Sequence, residues 1–542
     1  MDALVEFLLK HSTSAPSGST FRVGIFIEGD SVAPWILECG REAASLPGVT
    51  VEWLLLPENA PPAEGALLRR LTAWSQRRYD PYRRIALNAA STKLSLDASG
   101  TLAAESQARI RELDFDLLFA PLAPGLRGDC SGLARFGVWS LAIEGRRLDA
   151  RGYQFFWNSL EGRAFHTLSL VSHTTRFEAG TELCRYTSTT DPGLHFTQNH
   201  FALEAIPSLL CLHLLALLER GGTEECATIA VSEPAALPGN FTALRFVAAK
   251  CARSAWLRLP RQSPELEWFV GSQWRRTAIG AAGSFQGTVS NGIGEFSDVA
   301  CFRAHEAADP FAVHVDGRYF MFFEDIVPPR RLGRLAALEL HPDGQPSEPR
   351  VILERADHLS YPLVFEHEGA WYMLPESAEY RTVDLYRAEE FPYRWQHVQT
   401  LASGPRFVDT TPFHKDGFWY FFTTAILPGN GMVNLLFYSD SLTGAWCSHP
   451  GNPLSADAVA SRGAGAIFQH DGRWLRPVQD CGVCYGYAVR FHEIEELTPE
   501  RFREKPFAVM PPNWRRNLSA THTWNSAGLL ELRDGKRSRS RG

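Results

Sequence analysis

Four acidic residues recur at matched distances from an acidic-Gly pair, and that arrangement suits acid–base chemistry. Seven residues before and eight after Asp316-Gly317 stand Asp309 and Glu324. The same count around Glu368-Gly369 gives Tyr361 and Glu376, around Asp416-Gly417 gives Asp409 and Thr424, and around Asp471-Gly472 gives Ala464 and Gln479. If each acidic-Gly pair is a hairpin turn, these residues face one another in pairs. Repetition then brings Asp309, Glu324, Glu376 and Asp409 to one end of the array. Carboxyl groups converging in a cleft are what acid–base work on a glycosidic bond requires: one protonates the leaving oxygen, another acts as base or nucleophile. The competing reading, solvated strand ends or turn caps, is weakened by the four acids being in register.

Further candidates cluster around the same repeats. His358 lies three residues before Tyr361 and is placed either at the channel mouth or as a structural histidine. His522, in Thr521-His522-Thr523-Trp524, could orient an acid or contact a central ion. Arg462 and Arg476 flank the fourth acidic-Gly pair. One of them could hold a sugar hydroxyl, a carboxylate or a phosphate, and the alternative is a salt bridge between blades. Arg476 is the stronger candidate because it opens Arg476-Pro477-Val478-Gln479-Asp480.

The elements that must position these residues are β-hairpins. Asp316-Gly317-Arg318-Tyr319-Phe320 recurs as Glu368-Gly369-Ala370-Trp371-Tyr372, Asp416-Gly417-Phe418-Trp419-Tyr420 and Asp471-Gly472-Arg473-Trp474-Leu475, at intervals of 52, 48 and 55 residues. An acidic-Gly pair between apolar and aromatic runs reads as a tight hairpin. One hairpin every few tens of residues predicts a β-propeller with one copy per blade. A weaker fifth copy is expected at Asp534-Gly535, after Gly528-Leu529-Leu530. Trp371, Trp419 and Trp474 share one repeat position, which predicts core between blades and not a sugar platform.

The first half has a different texture. Apolar runs at 21–27, 51–56, 115–120 and 136–141 alternate with helical stretches, including 35–45 and a long helix over 201–220, and predict an α/β layer with a largely parallel sheet. No GxGxxG or P-loop supports nucleotide binding there. The expected organisation is an α/β domain over 1–220, a connector over 221–265 and an all-β propeller over 266–542.

Bulk properties exclude several classes. The net charge of −7 gives no electrostatic case for nucleic acid. The short basic end, Lys536 to Arg541, reads as a solvated terminus. The N-terminus carries acids where a secretory signal has bases, so a cytoplasmic location is expected. The longest apolar run, Ile206 to Leu218, is too short to span a bilayer and is expected to be a buried helix, so no membrane span is expected. The ten cysteines are expected to be reduced, and Cys481-Gly482-Val483-Cys484, lacking a second pair, is weak evidence for zinc or redox chemistry. No metal or other cofactor is expected.

The second half resembles the five-bladed propeller superfamily of arabinanases, levansucrases and invertases, through Ala308-Asp309-Pro310-Phe311 and the Asp-Gly hairpins. It is more closely similar to the propeller at the N-terminus of plant glucosamine inositolphosphorylceramide transferases. That likeness is carried by His358-Leu359-Ser360-Tyr361-Pro362-Leu363-Val364-Phe365, Tyr372 to Ser377, Val408-Asp409-Thr410-Thr411-Pro412-Phe413, Tyr438 to Trp446 and Arg476 to Asp480. The resemblance implies five blades and a carbohydrate ligand. It places Asp309 as base or nucleophile, but Tyr361-Pro362 stands where the hydrolases have an Asp-Pro, which puts their triad in doubt. Glu376 or Asp409 is then the candidate acid. The first half is weakly similar to formyltransferase domains, with Ala142 where the catalytic histidine belongs, Ser140 in place of the asparagine, and Glu178-Ala179-Gly180 for Asp-x-Gly. It is expected to keep that fold without the reaction. Three functions stay open: a glycosyltransferase or glycoside hydrolase making or breaking a glycosidic bond, a non-catalytic module binding a glycan or nucleotide sugar, and, disfavoured, formyl or acyl transfer by the first domain.

Overall fold

The computed structural model describes the chain apart from residues 1–2, 13–19, 59–63, 98–99, 123–125, 150, 191–195, 222–227, 259–265, 277, 279–295, 304, 343–344 and 539–542. Cys226 and the last basic residues, Arg539 and Arg541, lie outside the described residues. Two compact units result. One comprises Met1–Val5, Ser14–Gln262 and Leu427–Gly431; the other Glu6–Thr13, Ser263–Ile426 and Met432–Gly542.

The first unit is built on a nine-stranded sheet. Strands Ser91–Lys93, Val49–Leu56, Phe21–Glu28, Leu117–Ala120 and Val138–Ile143 run parallel in that spatial order. Phe165–His173, Ala179–Thr189 and Thr228–Ala230 continue the sheet antiparallel. The central strands are continuously apolar because helices cover them, as parallel sheets demand. Phe26, Leu54, Leu118 and Val138 share one fully buried cluster. Gly137 takes a positive φ of 76° beside the His173 carbonyl, so the fifth strand begins at Val138, after the Phe136 expected from sequence. The stretch expected to be a connector instead contributes to this unit: Thr228–Ala230 is the sheet's edge, and Ala243 and Phe246 of helix Asn240–Arg258 pack with Leu68, Leu71 and Phe156. Residues Asn199–Arg220 form a helical stretch long and apolar enough to cross a membrane by length and composition, and 72% of its most apolar window is buried within the fold.

The second unit consists of five sheets, one per blade of a propeller. Blades one to three are four-stranded meanders over Glu306–Leu353, Ser360–Ser403 and Phe407–Ser448. Blade four opens with a broken strand, Arg462–Gly463 and Phe468–His470, followed by Arg473–Asp480, Ala488–Leu497 and Phe502–Met510. Blade five joins the two ends of the propeller segment. Leu518–Ala520, Trp524–Ala527 and Leu530–Ser538 come from the C-terminal end, and Leu266–Trp274 and Ser297–Asp298 complete the sheet. Leu266–Trp274 pairs with Leu530–Ser538 along its whole length, from Leu266 opposite Ser538 to Trp274 opposite Leu530. A ring closed by hydrogen bonds between its two ends has no free edge at the seam.

The four acidic-Gly pairs are two-residue turns with positive φ at both positions, for example 51° at Asp316 and 76° at Gly317. That is the hairpin geometry whose twist matches the flanking strands. The expected fifth turn at Asp534-Gly535 is corrected: the blade-five hairpin turns at Gly528-Leu529, with Ala527 opposite Leu530, and Asp534 lies inside the next strand. The repeated tryptophans pack in the core. Trp419 meets Phe365 of the preceding blade at 5.4 Å, and Trp474 meets Phe413 at 4.8 Å.

Blades five and one share an apolar cluster of Val270, Leu530, Leu532, Met321, Phe323 and Leu338. Because Leu532 is fully buried at the seam, Leu532→Ala is expected to destabilise the propeller by about 2–5 kcal/mol in urea unfolding, the usual range for a buried Leu→Ala cavity.

Candidate functional site

Counting outward from the turns predicts that Asp309 faces Glu324, Tyr361 faces Glu376, Asp409 faces Thr424, and Ala464 faces Gln479. The structure shifts each pair by one or two residues. The residues opposite Glu324, Glu376 and Thr424 are Ala308, Ser360 and Val408, and Gln479 lies opposite Arg462. The cause is a β-bulge in each innermost strand, between Ala308 and Phe311, Ser360 and Leu363, and Val408 and Thr411. A bulge adds one residue to one strand only, so a count from the turn fails beyond it. The bulged residues are Asp309, Tyr361 and Asp409, with φ of 49°, 47° and 50°. Non-glycine residues rarely adopt this left-handed region, at a cost of about 1–3 kcal/mol each. The bulge turns these three side chains and their N–H groups out of the ladder toward their neighbours.

Those groups link blade to blade. Asp309 N–H donates to Asp534 Oδ2 at 3.3 Å, Tyr361 N–H to Asp309 Oδ2 at 3.2 Å, and Asp409 N–H to Glu376 Oε2 at 3.3 Å. Arg462 Nε donates to Asp409 Oδ2 at 2.6 Å, its Nη2 lies 3.7 Å from Glu376, and Gln479 Nε2 reaches Asp409 Oδ2 at 3.3 Å. The fully buried Tyr361 phenol crosses the interior, receiving the Gly465 N–H at 2.8 Å and bonding Thr411 Oγ1 at 2.9 Å. Gly465, at φ 142°, admits no side chain: a Cβ would lie 2.1 Å from the Trp524 carbonyl. Thr523 donates its hydroxyl to Asp309 Oδ1 at 2.6 Å. His522 forms a close ion pair with Asp534, sits 3.9 Å from Asp309 and stacks on Trp268 at 4.1 Å.

This cluster carries more acids than bases, and burial sharpens the imbalance. Burial, then the Asp409 charge, hold the Glu376 carboxyl well above the ordinary range, with Arg462 opposing. Burial, then Asp309 and Glu376, push Glu324 well up. Burial raises Asp309, with His522 opposing. For His522 burial works against the charge, yet Asp534 and Asp309 outweigh it and raise its pKa. Arg462 is likewise held well above its usual value by Asp409, Tyr485 and Glu376 against burial. Carboxyls shifted upward beside an Arg–Asp pair keep their protons to higher pH than free ones, which suits donation to a ligand's oxygens. Asp309, His522 and Asp534 also bring three donor atoms within 4.8 Å of one another, a spacing that a divalent cation could bridge, although the His522–Asp534 pair already satisfies two of them.

Of the residues singled out from sequence, the structure gathers Asp309, Tyr361, Glu376, Asp409, Arg462, Gln479 and His522. Glu324 stands at the flank, with His358 Nε2 3.2 Å from its Oε1 but off the line of a hydrogen bond, while His358 Nδ1 accepts the Gly333 N–H. Arg476 and Asp480 lie apart from the network. Arg476 forms a two-pronged pair with Glu504 at 2.8 and 2.6 Å inside blade four and lies over Phe422. Asp480 pairs with Arg490 and accepts the Gly482 N–H, anchoring the loop over Cys481–Tyr487. That loop carries Tyr485, 50% exposed, with Arg462 over its ring at 5.1 Å. Cys481 and Cys484 are free thiols. Sequence reasoning missed Tyr485, Thr523 and Asp534. The Tyr485 signal was present beside the CxxC, and Asp534 was hidden by its resemblance to a turn.

Residues 290–535 match the family model described as "Glucosamine inositolphosphorylceramide transferase 1, N-terminal". Proteins of the name "Glucosamine inositolphosphorylceramide transferase 1" are similar in sequence. The Arabidopsis thaliana protein is 33% identical over 225 residues, 40% of this chain and 29% of that one, and the Oryza sativa subsp. japonica protein is 33% identical over 255 residues, 44% and 34%. The chain thus spans about a third of the length of these curated relatives. Similar solved structures include the GH43 BlXynB protein from Bacillus licheniformis (17% identity, TM-score 0.30, 45% of this chain and 58% of that one). Another is Zg3597, a family 117 glycoside hydrolase from Zobellia galactanivorans (12%, TM-score 0.32, 49% and 90%). The five-bladed assignment rests on the five sheets themselves.

Two outcomes follow from the charges. A carboxyl raised in the folded state, or a raised histidine, stabilises the fold at low pH and loses that contribution as pH rises through its folded value. Propeller stability is therefore expected to fall as pH climbs above the ordinary carboxylate range, and Glu324→Gln and Glu376→Gln are expected to flatten that fall in unfolding measured across pH. Glu504 behaves oppositely: burial opposes its charge, but Arg476 and His492 pull it down to about 2, so its contribution is lost only as pH falls toward that value. Arg476→Ala, which leaves Glu504 with His492 as its remaining partner, is expected to destabilise the propeller by about 3 kcal/mol in the same measurement, the low end for a broken buried pair, without changing ligand binding at the propeller.

Proposed function

We propose that the propeller is a carbohydrate-active module that acts on a glycosidic bond at its acidic cluster, with Glu376 as proton donor. The observation that carries this reading is the placement of Glu376, whose Oε2 accepts the Asp409 N–H at 3.3 Å beside the Asp409–Arg462 pair, where burial and the Asp409 charge hold its carboxyl well above the ordinary range. A general acid needs its proton at working pH and a neighbouring carboxylate whose charge keeps it there. Glu376 would pass its proton to the leaving oxygen as the glycosidic C–O bond breaks and a water or an acceptor hydroxyl, losing its own proton, bonds to the anomeric carbon; the Glu376 carboxylate so formed is stabilised by the Arg462 guanidinium 3.7 Å away. Tyr485 offers an exposed ring face for a sugar's C–H surface. Asp309, whose two oxygens accept from Thr523 and the Tyr361 N–H, acts as a positioning group. The names of the sequence relatives support a sugar and glycolipid context, with glucosamine and an inositolphosphoryl lipid as the first substrates to try.

A second reading, a glycan- or nucleotide-sugar-binding module without turnover, draws support from Tyr361. It shares the bulge geometry of Asp309 and Asp409 yet puts a phenol where a third acid would stand. Formyl or acyl transfer by the first unit is disfavoured. Ala142 is buried, and Ser140 Oγ, 2.7 Å from His173 Nε2, is closed within the sheet. A cytoplasmic location remains part of this proposal.

Calorimetry and product analysis on the full chain, with nucleotide sugars, glucosaminides and inositolphosphoryl lipid acceptors, separate these readings. Turnover by the wild type that Glu376→Gln lowers about 100-fold or more, with binding kept, is the expected result, since a general acid contributes about 10²–10⁴-fold. Binding by both proteins with turnover by neither would establish the binding module.

A further inference from the structure

A cavity of about 470 Å³ opens in the first unit, remote in sequence from the propeller's acidic cluster. It lies where the strand Ala179–Thr189 ends, beside the turn after helix Ala66–Gln76 and the 3-10 segment Phe196–Ala205, with the short hairpin tip 427–431 that belongs to the same unit. Small-molecule sites have about 300–1,000 Å³, so this one is large enough for a ligand of one or two sugar rings.

The chemistry of the lining is specific. Phe201 is 45% exposed, unusual for a large apolar side chain, and its ring is held edge-on by Tyr79 at 5.5 Å. Tyr79 is in turn anchored by its phenol on Glu204. A fixed, exposed aromatic face beside hydroxyl and amide groups, here Ser188, Thr190 and Asn430, matches a sugar, which is apolar on its C–H face and polar around its edge. Thr190 Oγ1 is buried and has no hydrogen-bond partner among the described residues. An unpaired buried hydroxyl is unfavourable, and a ligand hydroxyl would relieve it. Arg78 lines the same cavity, and its guanidinium has no carboxylate partner among the described residues; Asp80, two residues on, is engaged by Gln76 and the Tyr82 N–H, and Glu204 by Tyr79.

We propose that this cavity binds a saccharide carrying an anionic substituent, a phosphate or a carboxylate. Phe201 carries the ring, the Thr190 and Ser188 hydroxyls and the Asn430 amide meet its edge, and Arg78 takes the anion. The site does not depend on the acidic cluster of the propeller.

Calorimetry on the full chain tests it with four probes: glucose 1-phosphate, glucuronic acid, glucose and inorganic phosphate. At least one of the two anionic sugars is expected to bind more tightly than glucose and inorganic phosphate, and which one binds identifies the anion. Arg78→Gln is expected to weaken that binding about tenfold to a hundredfold, the worth of a charge-assisted hydrogen bond, and Phe201→Ala to weaken it as well. Both side chains are exposed, so neither change threatens the fold. The proposal is overturned if neither anionic sugar binds, if inorganic phosphate binds as tightly as the sugar phosphate, or if binding survives both Arg78→Gln and Phe201→Ala. Loss of binding in Tyr485→Ala but not in Arg78→Gln would move the ligand to the propeller and also overturn it.

Discussion

The acidic cluster depends on three backbone N–H groups, those of Asp309, Tyr361 and Asp409, which a left-handed bulge frees from their own strands. Each donates to a carboxylate of the neighbouring blade, on Asp534, Asp309 and Glu376. The strain of three non-glycine residues at positive φ is tolerated because these contacts, together with the Arg462 bridge to Asp409 and the Tyr361 phenol against Gly465, over-determine the conformation. One device therefore joins the blades, concentrates acids at the interior and keeps water from them. Burial raises Glu376, Glu324 and Asp309 together, while the neighbouring acids, working against burial, make Arg462 and His522 hold their protons more firmly.

The same arrangement explains why the two arginines of blade four play different parts. Arg462 sits opposite Gln479 in the short first strand of that blade and reaches across to Asp409. Arg476, fourteen residues on, faces His492 within its own sheet and is consumed by Glu504. Both are charged and paired, but only Arg462 pairs with an acid of another blade, whereas Arg476 meets blade three only over the Phe422 ring, and only Arg462 carries an exposed aromatic ring against it.

Much of the fold was legible because it follows from local chemistry. Acidic-Gly turns with two positive-φ positions announce hairpins, and continuous apolar runs announce the covered parallel strands of the first unit. The bulges were not legible, since nothing in Ala308-Asp309-Pro310 or Ser360-Tyr361-Pro362 marks an added residue, and the facing pairs counted from sequence were off as a result. The pattern also misled at Asp534-Gly535, where an acidic-Gly pair lies mid-strand and the acid serves the interior. Which of Arg462 and Arg476 reaches the cluster, and the place of Tyr485 in a loop first read for its cysteines, depend on tertiary proximity that spacing alone does not encode.

The central claim is that Glu376 is a neutral carboxylic acid held beside the Asp409–Arg462 pair. Infrared difference spectra between the wild type and Glu376→Gln, recorded across pH, read this directly through the carboxylic C=O stretch. The account predicts that the band assigned to Glu376 persists above the ordinary carboxylate range. A Glu376 that loses this band in the ordinary carboxylate range, fully ionised by neutral pH, would contradict it.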